Sequence, residues 1–356
     1  MVKVNIRDMS MKYEKKYILE DLSLDIREAE LLVILGESGC GKSTLLKIIA
    51  GLIEPEKGEL FFNDINITQE SPQKRKIGYV PQSQVLFPHM TIEQNIKFGL
   101  EARKLPKELI KEKMDWIVNL IQVEELLERY PREISGGQRQ RVALARAMAI
   151  EPDVLLLDEP LSSIDASGRE SLALTIKRVQ KQTNTTSVYV THSSEEARLI
   201  SDRVAIMYDG KIQQIAKYSE IDSNPKNYLV AKIMGTSNVW QVMYKEETEQ
   251  GDLLHLPIGE IQIVSKFQKK ITGVRIRENA FDIILSNKEE LVPNLIKGKI
   301  RTILEQDEET SEVIVDVLEN PSEYIKVHVK NAKLSKELKD NSKILLKIKV
   351  EDVVFF

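Results

Sequence analysis

The sequence reads as an α/β domain built on a strand–loop–helix phosphate cradle, followed by a small all-β domain. Three observations predict this. Residues 36–44, GESGCGKST, fit G-x-x-x-x-G-K-[ST]. The apolar run Leu31-Leu32-Val33-Ile34-Leu35 before them is one buried strand in length, and Leu45, Leu46, Ile48 and Ile49 after them continue as a helix that stops at Gly51. The last third of the chain carries no such motif and alternates apolar with polar residues, as antiparallel strands do.

The loop supplies its own physics. Gly36, Gly39 and Gly41 let backbone N–H groups turn inward, and the positive end of the following helix completes a cradle for a polyphosphate. Lys42 offers a point charge to the outer phosphates, and the Ser43 hydroxyl can ligate Mg²⁺. Glu37, Ser38, Cys40 and Thr44 complete the candidate nucleotide-binding stretch.

Composition bounds the rest. A chain of 356 residues predicts two domains, and 42% hydrophobic with 30% charged residues is ordinary for a well-packed protein. A net charge of −4 argues against binding to nucleic acid or anionic lipid by bulk electrostatics. The single cysteine, Cys40, points to a reducing compartment. No apolar run approaches the roughly 18–20 residues a bilayer needs, and MVKVNIRDMS lacks a signal-peptide core. A cytosolic protein is expected, with any membrane role exerted through a partner.

Taken in order, residues 1–35 read as strands, with Val2, Val4 and Ile6 alternating and then Leu22, Leu24 and Ile26. The polar turn between them carries Tyr13 and Tyr17, either of which could stack on a base or simply pack. Short strands run from Gly58 to Val80, and Gln82 follows, where its amide could reach a metal or a water. Thr91 and Gln94 form a capping-box pair opening a helical stretch over 91–150. In it Ile110, Met114, Ile117, Val118 and Ile121 make one apolar stripe, with Trp116 off it. Ser135-Gly136-Gly137-Gln138 opens a further helix and is a second phosphate-binding candidate, well separated from the first.

Val154-Leu155-Leu156-Leu157-Asp158-Glu159 is a buried-type strand with two carboxylates at its C-terminal end, the edge where open α/β sheets bind ligands. Asp158 suits Mg²⁺; Glu159 suits holding the attacking water, because phosphoryl transfer relies on positioning. The strand 187–191 delivers His192 to the same edge, where it can bond a γ-phosphate or orient that water.

With these stretches together, residues 1–235 resemble the nucleotide-binding subunit of an ATP-binding-cassette (ABC) transporter. Residues 36–44 are similar to Walker A, Gln82 to the Q-loop glutamine and 135–138 to the signature. Asp158 and Glu159 are similar to Walker B and the catalytic glutamate, Ser163 to Asp165 to the D-loop, and His192 to the switch histidine. Tyr13 falls where the family carries its adenine-stacking aromatic. The departures are Ile134 for leucine, Glu37 where proline is frequent, and Ala29 for glycine.

The resemblance implies a P-loop NTPase fold with a helical subdomain at about 88–150. It also implies ATP and Mg²⁺ as ligands, and a head-to-tail dimer, homomeric or with a second ATPase. Each ATP would lie between the phosphate loop of one subunit and the signature of the other. Within the site, Glu159, His192 and Gln82 would be catalytic, and Ser43, Gln82 and Asp158 would attend the metal. Cys40, in the loop, is either a target for thiol reagents or a small packing residue.

Residues 236–356 are similar to the transport-associated, OB-like barrel appended to importer ATPases for sugars, polyamines, ferric iron, sulfate and molybdate. The stretch 273–277, GVRIR, carries the likeness, with Glu278 where proline is usual. Such barrels often bind nucleic acid, but 18 Lys and Arg against 21 Asp and Glu give no basic face for it. The expectation is an importer ATPase peripheral to the cytoplasmic face of the cell membrane, docked on integral-membrane permease subunits and served by an extracytoplasmic solute-binding protein. The alternatives are a soluble cassette ATPase of nucleic-acid repair or translation, and the ATPase of an exporter.

Overall fold

The computed structural model describes residues 2–14, 16–83, 86–264, 271–285, 293–305, 310–330 and 338–356. The chain divides into two compact units, Met1–Ile221 and Asp222–Phe356.

In the first unit, β1 (Val4–Tyr13), β2 (Lys16–Ile26), β3 (Leu31–Leu35), β4 (Lys57–Phe62), β5 (Ile65–Asn66), β6 (Ile77–Val80), β7 (Val154–Asp158), β8 (Thr186–Thr191), β9 (Arg203–Tyr208) and β10 (Lys211–Ala216) form two sheets. An antiparallel sheet runs β2-β1-β4-β5, and a six-stranded sheet runs β10-β9-β3-β8-β7-β6. In the latter every pair is parallel except β9 with β10. β3 and β7 are buried along their whole length, which is why they read as unbroken apolar runs.

The helix α1 (Lys42–Ala50) shares one core with both sheets: Leu45, Leu46, Ile48 and Ile49 lie in the same apolar cluster as Ile6, Leu24, Ile34 and Val190. Gly51 ends it in the left-handed conformation, as its position after the last apolar residue predicted. Arg75 then closes the helix, its buried guanidinium donating to the carbonyls of Ile48 and Ile49 at 2.7 and 2.8 Å. A cation at that end complements the helix dipole whose other end faces the phosphate loop.

The helical stretch holds α2 (Ile92–Ala102), α3 (Lys107–Ile121) and α4 (Gly136–Ala149). Thr91 and Gln94 make the reciprocal capping box expected of them. The stripe from Ile110 to Ile121 is buried, while Trp116 stays partly exposed. Two further helices, α5 (Ala166–Thr183) and α6 (Ser194–Ile200), follow β7 and β8. Among the described residues no helix is long and apolar enough to cross a membrane.

The second unit is all-β apart from short helical turns and a helix at Tyr228–Ile233, which packs on β11 (Val239–Gln241) and β15 (Gly273–Ile276). The remaining strands are β12 (Tyr244–Thr248), β13 (Gly251–Leu256), β14 (Gly259–Ile263), β16 (Phe281–Ile284), β17 (Leu295–Glu305), β18 (Ser311–Val317), β19 (Tyr324–Val329), β20 (Lys343–Ile348) and β21 (Val353–Phe355). They pair as β16-β20-β17-β18-β19, β12-β13-β14 and β11-β15-β21 around one core, in keeping with an OB-like domain. Val313, Val315 and Val317, and Ile325, Val327 and Val329, all point into that core, as their alternation required. Val350 falls just outside β20, in the short turn 350–352, where it packs against the same core.

Candidate nucleotide site

The order of the parallel strands builds the site. Leu35 of β3 lies beside Thr191 of β8, and Val190 of β8 beside Asp158 of β7. The residues that follow these C-terminal ends therefore meet at one edge: Gly36, Asp158 with Glu159, and His192. Gln82 comes from beyond β6, next to β7.

The loop owes its shape to its glycines. A side chain at Gly36 would run into the backbone oxygen of Met207, and one at Gly41 into that of Ile18. Gly39 and Gly41 have φ of 84° and 107°, where L side chains are strained. Lys42 is 4% exposed; its ammonium donates to the carbonyls of Gly36 and Glu37, each at 2.9 Å. The Ser43 hydroxyl donates to Asp158 Oδ1 at 2.7 Å. Ser38 and Gly39 are exposed on the outer turn, and Thr44 is half-buried on the first turn of α1.

Asp158 is buried and gains a second partner that sequence reasoning missed. Tyr79, on β6, donates its hydroxyl to Asp158 Oδ2 at 3.2 Å. Burial first, and the neighbouring Asp158 second, push the phenol well above its usual range, so it stays a donor. Its only sequence signal is its place three residues before Gln82.

Glu159 is the centre of the constellation. Its carboxylate lies 4.0 Å from the Lys42 ammonium, accepts from Gln82 Nε2 at 3.2 Å and lies 3.3 Å from His192 Nδ1. Its backbone sits at φ 43°, a left-handed conformation uncommon outside glycine and asparagine, tied by its N–H to the carbonyl of Val190 at 3.0 Å. A non-glycine residue held in that conformation costs about 1–3 kcal/mol.

The turn carrying His192 is braced from behind by Glu196 of α6, which sequence reasoning also missed. One carboxylate oxygen of Glu196 accepts from the buried Tyr189 at 2.8 Å and from Thr191 Oγ1 at 2.7 Å. Thr191 Oγ1 in turn accepts from the Ser193 N–H at 3.0 Å.

Other candidates lie apart. Ser135 and Gln138 make a reciprocal capping box at the start of α4. The Ser135 oxygen thus accepts a backbone bond, and among the described residues its proton has no acceptor. Gly137 has open space where a side chain would stand, and a side chain at Gly136 would stand 3.6 Å from the Ser163 carbonyl. Asp165 caps α5 by accepting from the Gly168 N–H at 3.2 Å. Tyr13 is exposed at the end of β1, and β2 brings that hairpin to the loop through Ile18. No hydrogen bond or ion pair among the described residues joins Tyr13 or residues 135–138 to the phosphate loop.

Cys40 is a packing residue. It is buried, and burial pushes its thiol up despite the nearby Lys42, so the reactive thiolate is scarce. Ala29, in place of glycine, sits at φ 53°, a left-handed turn fixed by its bonds to Thr186 and Gln180.

Comparison with known proteins gives the family. Residues 19–162 match the ABC transporter family model. The chain is 36% identical over 335 residues to the spermidine/putrescine import ATP-binding protein PotA of Clostridioides difficile, spanning 94% of both chains. It is 48% identical over 238 residues to the Fe(3+) ions import ATP-binding protein FbpC of Fusobacterium nucleatum subsp. nucleatum, covering 67% of this chain and 64% of that one. Among solved structures it is similar to a dimeric ATP-binding cassette in a post-hydrolysis state bound to ADP and Pi (TM-score 0.55, 29% identity, 60% of this chain and 98% of that one). It is also similar to a Clostridium perfringens protein that is part of the ABC transporter complex cbiONQ (TM-score 0.58, 28% identity, 62% and 90%). Likeness running through nearly the whole length of an importer's ATP-binding subunit, on an edge where Lys42, Asp158, Glu159 and His192 converge, makes this chain a member of the ABC transporter family and an importer ATPase subunit.

Proposed function

We propose that the chain binds MgATP at the edge formed by residues 36–44, Gln82, Asp158, Glu159 and His192, and that its hydrolysis there drives uptake of a small solute. The observation that carries this reading is Glu159 held among Lys42, Gln82 and His192. The loop N–H groups and Lys42 take the phosphates; Glu159 accepts from the attacking water, and His192 and Gln82 fix the carboxylate's direction. Ser43 and Asp158 are adjacent hard oxygen donors, with one carboxylate between them, which suits an ion that keeps most of its water. When bound there, Mg²⁺ neutralises phosphate charge.

Residues 135–138 act on ATP held by the other subunit of a dimer, with Tyr13 against the adenine and Asp165 at the dimer seam. Two helix N-termini with phosphate-binding character, α1 and α4, unjoined within one chain, support that division. The partners are integral-membrane permease subunits and an extracytoplasmic solute-binding protein, and the chain works peripherally at the cytoplasmic face. The solute is of the classes for which relatives are named: ferric iron, polyamines, molybdate or sulfate.

A mild-detergent pull-down from the native cells, read by mass spectrometry, tests the transport assignment. Recovery of integral-membrane subunits is expected; recovery of ribosomes or DNA alone overturns it. Lys42→Ala tests the site, because ATP affinity unchanged by calorimetry would remove the phosphate loop from the mechanism.

A further inference from the structure

The second unit contains a cationic cavity that the ATPase reading leaves unexplained. Arg275 and Arg277 lie two residues apart at the end of β15, and His328 and Lys330 two apart at the end of β19. On each strand the intervening residues, Val274 and Ile276 or Val327 and Val329, are buried in the core. The period-two alternation therefore sends all four basic side chains to the outer face. They line one cavity of about 370 Å³.

The two strands belong to different sheets, and Asn238 clamps them together. The buried Asn238 accepts from the Lys326 N–H at 2.9 Å and donates to the Lys326 carbonyl, both through its side chain. Its backbone carbonyl accepts from the Ile276 N–H at 3.0 Å. The basic side chains thus stand on a fixed seam, the condition for a preorganised site.

Nearby carboxylates are already engaged. Glu278, which also lines the cavity, accepts from Ser237 Oγ at 2.6 Å. Asp222 holds Arg275 through its backbone and side-chain oxygens, orienting the guanidinium. Glu312, across the ladder from His328, is paired with Lys326 at 3.4 Å. Of the three permanent cations, Arg275 is paired with Asp222, and Glu278 stands in the lining with its charge in place, so Arg277 and Lys330 carry the excess positive charge.

We propose that this cavity binds a small phosphorylated molecule, with Arg275, Arg277 and Lys330 on its phosphate group. Arginine forks match phosphate oxygens in pairs, lysine adds a point charge, and His328 adds a ring donor. The cavity is in the size range of sites for small organic ligands and is roomier than a lone tetrahedral ion requires, which leaves Asn279 for the organic part. The site is independent of the ATPase assignment.

The test uses the full chain carrying Lys42→Ala, so that the phosphate loop does not contribute, at low ionic strength. Calorimetric titration with glycerol phosphate is expected to show one saturable site. Adding Arg277→Ser and Lys330→Ser, both at exposed positions, is expected to weaken it by about ten-fold or more. Arg277→Lys with Lys330→Arg, which keeps the charge, restores most of the affinity. An unaltered thermal unfolding midpoint checks that the serine variant is folded. Absence of saturable binding, or equal affinity in the serine variant, overturns the site. Inorganic phosphate is the second probe: binding as tight as that of the ester assigns the cavity to the free anion and overturns the phosphorylated molecule.

Discussion

Replacing Glu159 by Gln removes one negative charge and leaves the shape of the side chain intact. In the structure the Oε2 position accepts from Gln82 at 3.2 Å and faces His192 Nδ1 at 3.3 Å. An amide oxygen in that position keeps both partners, which places the amide nitrogen on the side facing Lys42. What disappears is the group able to hold a water as a base. Loss of a positioned base costs about a hundred- to ten-thousand-fold in rate, equivalent to about 3–5 kcal/mol of barrier. Nucleotide binding moves the other way. A unit charge pair 4.0 Å apart attracts by about 4 kcal/mol at an effective dielectric of about 20, before Lys42's carbonyl partners and water reduce it. Freed of that attraction, Lys42 meets the phosphates at no loss. The variant is therefore expected to bind ATP as tightly as the parent or more tightly, while steady-state and single-turnover hydrolysis both collapse. Size-exclusion chromatography with ATP should then accumulate a nucleotide-loaded dimer. Turnover within about three-fold of the parent, in a range where removal of a base cannot hide, would refute Glu159 as the group that handles the water.

Three further outcomes are expected. Tyr79→Phe deletes the anchor on Asp158 Oδ2 while Oδ1 keeps Ser43. At about 0.5–1.5 kcal/mol for the bond, the Mg²⁺ concentration for half-maximal ATPase should rise about two- to ten-fold, with metal-free nucleotide affinity unmoved. Ala29→Gly relieves a left-handed residue at φ 53° and should raise unfolding free energy by about 0.5–1 kcal/mol, read by denaturant titration, since the conformational penalty exceeds glycine's entropy cost. Cys40 should react with iodoacetamide at neutral pH far more slowly than a free thiol, because burial raises its pKa and hides the sulfur; labelling as fast as in the denatured chain would contradict that.

Much of the site was legible because its chemistry is written in local patterns. The spacing of Gly36, Gly41, Lys42 and Ser43, the run ending in Asp158 and Glu159, and the Thr91–Gln94 and Ser135–Gln138 caps each concern residues within a turn or two of one another. Short-range backbone geometry dictates such patterns, so reading them requires no knowledge of the fold. The stripe of α3 and the alternation in β18 and β19 were legible for the same reason, since period alone fixes which face is buried.

The tertiary structure decided what lies between these pieces. The strand order β3-β8-β7-β6 does not follow the chain, and it alone sets His192, Glu159 and Gln82 in reach of one another. Tyr79 became a partner of Asp158 because β6 lies beside β7; its place three residues before Gln82 does not by itself distinguish it from a packing tyrosine. Of the two readings open for Cys40, reactive thiol or small packing residue, its burial selects the second. Arg275 and Arg277, read in the sequence only as part of a family likeness, acquired His328 and Lys330 as neighbours through the clamp of Asn238. Sequence by itself determined the phosphate loop, the capped helices and the alternating strands, with the chemistry written in them. Which elements share an edge is set by sheet topology, and sheet topology is fixed by burial summed over the whole chain, a quantity no local window contains.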